Sequence, residues 1–268
     1  MDIVVKVGGS KNTNFEEIAK DIASLWKDRV KIVFVHGGAE FTDEIATKLG
    51  HPPEYVTSVS GYVSRRTDMQ TLEIFQIVYC GLLNKKWVGL FIKNGVNAVG
   101  ISGLDAKTWQ GPRKSTIKVI KNGRKMVIRD DYTGKVEKVN VDFIKLLVNY
   151  GYLPVISPPA ISYENEPINV DGDRAAAVTA SKLGAKTLVI LTVAPGLLKK
   201  FPDENSLIEK IPFEKFDDYL EFAKGKMKKK LMGAKEALSS GVKRVIFADS
   251  RIKNPVSQAL KGRGTIIE

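Results

Sequence analysis

Cysteine occurs once in these 268 residues, as Cys80. A single thiol excludes an intrachain disulfide and a cysteine-based metal cluster. Inside an apolar helical pattern it reads as packing. Histidine occurs only twice. No uninterrupted apolar run is long enough to cross a bilayer, and Met1 leads straight into a strand without the basic and apolar regions of a secretory leader. A cytoplasmic protein with no membrane partner is expected. Neither the P-loop sequence G-x-x-x-x-G-K-S/T nor a strand, G-x-G-x-x-G and helix in succession occurs. That excludes an ordinary P-loop enzyme and argues against a dinucleotide site. No internal repeat or low-complexity linker divides the chain.

What is present begins with charge. Lys and Arg number 42 against 30 Asp and Glu, a net +12. This points either to a polyanionic partner (nucleic acid, nucleotide phosphates or an acidic protein) or to the lysine-rich surface of a thermophilic protein. The excess is local: residues 106–139 hold ten Lys or Arg and three Asp or Glu. With 43% hydrophobic residues the chain can bury a large core, as one α/β domain or two lobes.

Periodicity gives alternating strands and helices. Strand 2–7 is followed by a helix over 14–28 with Phe15, Ile18, Ile22, Leu25 and Trp26 on one face and Asn14 as its N-cap. Strand 30–35, a helix near 39–49 and a helical region over 67–94 follow; the last reads as two helices broken near Gly81. Residues 96–100 form another strand. Between 115 and 139, β-rich pieces alternate with the turn signals Asn122-Gly123 and Thr133-Gly134, which reads as hairpins projecting from the body. Helix 141–150, strand 153–157, helix 173–183, strand 187–193, helix 226–240 and strand 243–248 resume the alternation. The expected class is α/β, a three-layer sandwich with a central, mainly parallel sheet between helices, plus β-hairpins.

Four segments carry chemistry. Ile3-Val4-Val5-Lys6-Val7 runs into Gly8-Gly9, and Ile32-Val33-Phe34-Val35-His36 runs into Gly37-Gly38. Turns without side chains let backbone N–H groups approach an anion, and an amine at Lys6 inside an apolar strand points to a negative charge beside it. The plain alternative is two tight turns and an edge lysine. Asn169-Val170-Asp171-Gly172-Asp173-Arg174 opens an Ala-rich helix. Asp173 there either complements the helix end or orients cations near a phosphate, with Asn169 holding a substrate group. Lys224-Gly225-Lys226-Met227-Lys228-Lys229-Lys230 sets lysines at a helix N-terminus, against the macrodipole. At least one should meet an anion, while Lys226, Lys228 and Lys229 read as a solvated face. Gly61-Tyr62-Val63-Ser64-Arg65-Arg66-Thr67-Asp68 offers Thr67 as a helix cap and an arginine able to grip a carboxylate with two hydrogen bonds.

In this order the four segments resemble the amino-acid kinase family over nearly the whole chain, and within it N-acetylglutamate kinase and its carrier-protein relatives. The resemblance implies transfer of a phosphoryl group from ATP, with Mg²⁺, to a side-chain carboxylate, giving an acyl phosphate. It implies one domain with an acyl-substrate lobe (about 1–170) and an ATP lobe (about 171–268). Lys6 and Lys230 become the transition-state lysines and Asp173 the aspartate that positions both. Gly8 and Gly9 become donors to the phosphoryl group, Gly37 and Gly38 neighbours of the substrate, Arg65 the holder of its α-carboxylate and Asn169 a further substrate contact. Thr192, in Leu191-Thr192-Val193-Ala194-Pro195-Gly196, falls on the nucleotide side. No side chain is expected to ligate the metal, which arrives on the nucleotide phosphates. An ionised carboxylate is already the nucleophile, so neither histidine is given a catalytic role. A homodimer is implied, with 71–92 as its interface.

Further features look like the LysZ type of that family: His36-Gly37-Gly38-Ala39, the Ser-Arg-x-Thr-Asp pattern at 64–68, Arg129-Asp130-Asp131-Tyr132-Thr133-Gly134-Lys135 and Asn254-Pro255-Val256-Ser257. Kinases of that type act on 2-aminoadipate, or glutamate, attached through its amino group to an acidic carrier protein, LysW. The basic stretch supports this on physical grounds, because it would steer an acidic carrier and hold it in register. Two alternatives stay open: N-acetylglutamate kinase of arginine biosynthesis, and a non-catalytic nucleic-acid-binding or regulatory protein on the same fold. The stretch lacks the aromatic interleaving of a single-strand platform, so no nucleic-acid partner is expected.

Overall fold

Ile3–Val7, Ile32–His36, Leu153–Ser157 and Thr187–Thr192 are buried at every residue. Strands of that kind belong in a sheet covered on both faces. The computed structural model describes residues 1–59, 61, 63–114, 116–121, 124–223 and 225–268 and assembles the strands that way. One eight-stranded sheet runs, edge to edge, through Lys210–Ile211, Thr265–Ile267, Arg244–Asp249, Thr187–Thr192, Ile3–Val7, Ile32–His36, Leu153–Ser157 and Ala98–Ser102. From Arg244–Asp249 onward every neighbouring pair is parallel. Thr265–Ile267 is antiparallel to Arg244–Asp249 and parallel to Lys210–Ile211, so the two strands at that edge run the other way. Among the described residues no helix is long and apolar enough to cross a membrane.

Successive side chains of a strand point to opposite layers. Ile3, Val5 and Val7 pack with Phe15–Lys27, Asn84–Lys93 and Pro255–Leu260, whereas Val4 packs with Val141–Asn149, Gly172–Leu183 and Lys226–Ser239. Lys6 shares the parity of Val4 and so points at Gly172–Leu183. His36 shares the parity of Phe34 and faces the other layer, where Phe34 meets Trp87 and Phe91 edge-on.

Several boundaries differ from expectation for identifiable reasons. The region read as two helices is one rod, Met69–Gln76, a π-helical turn Ile77–Leu83, and Asn84–Lys93. Gly81 lies inside the π turn and does not break the rod. Its N-cap is Asp68, which accepts from the Thr71 amide at 2.8 Å, and not Thr67. The stretch read as hairpins does pair Ile117–Lys121 with Arg124–Ile128 antiparallel, and its strands join others in two four-stranded sheets. One orders Val63–Arg65, Tyr55–Ser58, Ile117–Lys121 and Arg124–Ile128; the other orders Pro167–Ile168, Ala160–Ser162, Trp109–Gly111 and Lys138–Val139. The expected Asn122-Gly123 turn, Tyr62 and Lys224 lie outside the described residues.

The two glycine turns press on each other at the carboxyl ends of adjacent strands. A Cβ on Gly9 would stand 2.3 Å from the Gly38 nitrogen and 2.4 Å from that of Ala39. The Glu40 amide donates to the Gly9 carbonyl at 3.2 Å, and Ser10 Oγ donates to Glu40 Oε2 at 3.1 Å. Gly9→Ala therefore forces backbone from backbone and is expected to destabilise the fold by about 1–3 kcal/mol, read as a lower urea midpoint. A midpoint equal to that of the parent chain would show that the turns are not in contact.

Candidate active site

Asp171 caps the Gly172–Leu183 helix, accepting from the amides of Asp173 at 2.9 Å and Arg174 at 3.0 Å. Capping by Asp171 leaves the Asp173 carboxylate free to face the lysines, which sets aside the alternative that it only complements the helix end. Its Oδ1 lies 2.5 Å from Lys6 Nζ and its Oδ2 lies 2.7 Å from Lys230 Nζ. The three side chains are 12%, 6% and 15% exposed, so the charges are largely desolvated and must compensate one another. Burial pushes the Asp173 carboxyl up, but Lys230 and Lys6 outweigh it and hold it below the usual carboxylate value. Burial lowers the Lys6 amine; Asp173 opposes the change and the like charge of Lys230 adds to it. Two ammonium groups on one carboxylate leave a net positive charge beside the glycine turns.

The glycine amides divide unequally. Gly8 N–H donates to the Leu191 carbonyl at 3.3 Å and Gly37 N–H to that of Val7 at 2.9 Å, continuing the sheet. Among the described residues, the amides of Gly9 and Gly38 have no backbone acceptor. Gly38 is roofed by Tyr79 and Leu83 of the π turn; a Cβ there would stand 2.5 Å from Leu83 Cδ1. Burial raises the Tyr79 hydroxyl above its ordinary value, against the pull of Arg65 and the Gly38 amide.

Arg65 borders the second turn. Its Nη2 donates to the Ala39 carbonyl at 3.0 Å and to Asp43 Oδ1 at 2.6 Å, while its buried Nε has no partner among the described residues. Arg66 points away, to Glu54 and Asp130. The Thr67 amide donates to buried Asp131 at 3.1 Å, and Asn169 Nδ2 donates to Thr67 Oγ1 at 3.0 Å. Asn169 is thus joined to the segment bearing Arg65. Thr192 ends the strand beside that of Lys6, its hydroxyl donating to the Ala194 carbonyl at 2.9 Å. Lys229, expected on a solvated face, donates to the Val63 carbonyl at 2.7 Å and ties the helix of Lys230 to the strand of Arg65. A cavity of about 540 Å³ opens beside Asp249, Arg251 and Pro255 and shares no residue with the lysine cluster. Among the described residues no group of three or more His, Cys, Asp or Glu could hold a metal ion.

Asp43, Tyr79 and Asn84 had no signal in the sequence. Asn84 Nδ2 reaches His36 Nε2 at 3.3 Å and the carbonyls of Ile101 and Val155 at 3.3 and 3.0 Å, directly below the Gly37 turn. Burial pushes His36 down to about 4; its contact with the Gly37 carbonyl opposes the shift and Lys6 adds to it.

Comparison with known proteins gives this arrangement a class. The model of the amino acid kinase family matches residues 1–249, and the chain belongs to that family. A LysW-aminoadipate kinase of Thermus thermophilus is 54% identical over 267 residues, covering 99% of each chain. One of Deinococcus radiodurans is 52% identical over 265 residues, covering 99% of this chain and 91% of its own. A relative from Nitrosopumilus maritimus, 38% identical with 99% of both chains covered, carries aminoadipate and glutamate together in its name. Among solved structures, an N-acetylglutamate synthase of Neisseria gonorrhoeae superposes with a TM-score of 0.80 at 24% identity; this chain covers 59% of it. A Giardia carbamate kinase superposes at 0.68 with 18% identity, covering 99% of this chain and 98% of its own. These likenesses establish the fold.

His36 makes stability depend on pH. Below its ordinary 6.5 the unfolded chain takes up a proton that the folded chain refuses until about 4. The contribution is complete above 6.5 and fades as pH falls towards 4. Between about pH 7 and about pH 5 the loss is about 2 kcal/mol. Urea midpoints should show that loss in the parent protein and a smaller one in His36→Gln; equal losses would assign the dependence to another group.

Proposed function

We propose that this protein transfers the γ-phosphoryl group of ATP to the side-chain carboxylate of 2-aminoadipate carried through its amino group on an acidic LysW-like protein. The observation that carries the reading is one buried carboxylate, Asp173, holding two lysines from different elements side by side. The relatives at 54% and 52% identity are LysW-aminoadipate kinases, which supports the substrate.

Phosphoryl transfer between two anions needs positioning and fixed positive charge more than acid–base chemistry. Lys6 meets the phosphates and the transferring group, Lys230 meets the nucleotide, and the Gly9 amide, which has no backbone acceptor among the described residues, donates to the transferring group; Gly38, whose amide faces the Tyr79 hydroxyl, lies beside the acyl substrate. Gly8 and Gly37 serve by shape, since their amides are spent in the sheet. Arg65, steered by Asp43, takes the α-carboxylate, and Asn169 lies on the same side. Thr192 marks the nucleotide end. Mg²⁺ enters with ATP as part of the substrate, carried on the nucleotide phosphates. His36 stays neutral, and its part is to brace the Gly37 turn from below. Glutamate, one methylene shorter, is a second substrate in this reading, because a methylene is worth only about 1–3 kcal/mol of discrimination.

Incubation with MgATP and either carrier-bound aminoadipate or N-acetylglutamate, with hydroxylamine trapping the acyl phosphate, separates the readings. The carried acid should give hydroxamate and the acetylated one little. Lys6→Ala should lower turnover on the order of 10²–10³-fold in a chain that still folds cooperatively. Preference for N-acetylglutamate, or normal turnover by Lys6→Ala, contradicts the proposal.

A further inference from the structure

The sheet that carries Arg65 has an inverted polarity. Residues directly opposite one another on paired strands share a face. Tyr55 is paired with Arg65, and both side chains reach Asp43, so this face looks toward the candidate substrate site. Thr57 on the same face is paired with Val63 on one side and Ile120 on the other; Ile120 is paired with Lys125, and Lys118, two residues from Ile120, with Val127. The face therefore extends from Arg65 across Val63, Ile120 and Val127, with Lys118 and Lys125 among them.

On the opposite face Val56 and Val119 are 7% and 2% exposed, while Met126, paired with Val119 on the edge strand, is 49% exposed. Where the two inner strands bury that face, alternation should leave polar residues on the other. Instead Val63, Ile120 and Val127 are 53%, 40% and 53% exposed. Contiguous exposed apolar side chains set among charges mark a protein-binding surface. A small free acid would have no use for them. An amino acid tethered to a protein would: as the acid passes Arg65, the body of its carrier must rest on the surface beside the entrance.

We propose that this face docks the acidic carrier protein, with Val63, Ile120 and Val127 as its apolar centre and Lys118 and Lys125 as its charged rim. The inference rests on the reading that the substrate arrives on a carrier, and it adds that the contact has a dry centre as well as electrostatic attraction. The charge of the rim selects an acidic partner over a second copy of this basic chain.

The test uses the full-length protein and carrier bearing 2-aminoadipate. Ile120→Ser with Val127→Ser should raise the KM for the carried substrate roughly tenfold, at low and high salt alike, with kcat, the KM for MgATP and thermal unfolding unchanged. Lys118→Gln with Lys125→Gln should raise the same KM at low salt and flatten its salt dependence. If both pairs leave that KM within about twofold of a wild type that turns over the carried acid, the docking face is wrong and the function stands. A sedimentation shift in the Ile120/Val127 variant without a change in KM would reassign the face to self-association and overturn the proposal. A wild type that fails on the carried acid overturns the function, and this inference with it.

Discussion

Everything at the candidate site depends on one carboxylate that two lysines share. Buried alone, Lys6 and Lys230 would repel each other and pay the desolvation of two ammonium groups; Asp173 between them turns a repulsive pair into a compact cluster of low net charge. The cluster draws its members from three elements: the strand Ile3–Val7, the start of the helix Gly172–Leu183, and the first turns of the helix Lys226–Ser239. Asp171 makes this possible by taking the helix-capping duty. The residual positive charge lies where the glycine turns meet, so the site is charged for an anion before one arrives, which is what transfer between two anions requires.

The glycine turns set the geometry around that charge. A side chain on Gly9 would meet the backbone of Gly38 and Ala39, one on Gly38 would meet Leu83 and Tyr79, and neither amide has a backbone acceptor among the described residues. The π turn Ile77–Leu83 brings Tyr79 and Leu83 over Gly38, and Asn84 under His36, so one rod both roofs and supports the second turn. Arg65 reaches the same turn through the Ala39 carbonyl, and Lys229 links its strand to the helix of Lys230. One hydrogen bond thus joins the hairpin sheet to the lysine-bearing helix.

Much of this was legible in the sequence. Continuous apolar runs ending in glycine gave the central parallel strands, and a lysine inside such a run has few explanations other than a buried counter-charge. Lysines crowded at a helix start carried the same message for Lys230. Tertiary competition hid the rest. Asp173 and Asp171 are two residues apart and equally fit to cap, and only the fold decides which one faces the lysines. Thr67 and Asp68 posed the same ambiguity at the next helix. The edge strands Lys210–Ile211 and Thr265–Ile267 are too short for periodicity to register. Asp21, within the apolar pattern of the first helix, accepts from the amides of Val256 at 2.7 Å and Ser257 at 2.9 Å, a cap supplied from the far end of the chain. The inverted face of the hairpin sheet could not be seen before strand pairing fixed which alternate residues point outward.

The claim that one shared carboxylate organises the site is tested most directly by Asp173→Asn, assayed for acyl-phosphate formation from carrier-bound aminoadipate alongside its denaturation curve. The amide keeps the shape and removes the charge, so the lysines should separate. Turnover should fall on the order of 10²–10³-fold, and stability at neutral pH should drop by about 3–5 kcal/mol. An Asp173→Asn protein with near-parental turnover and stability would contradict the account.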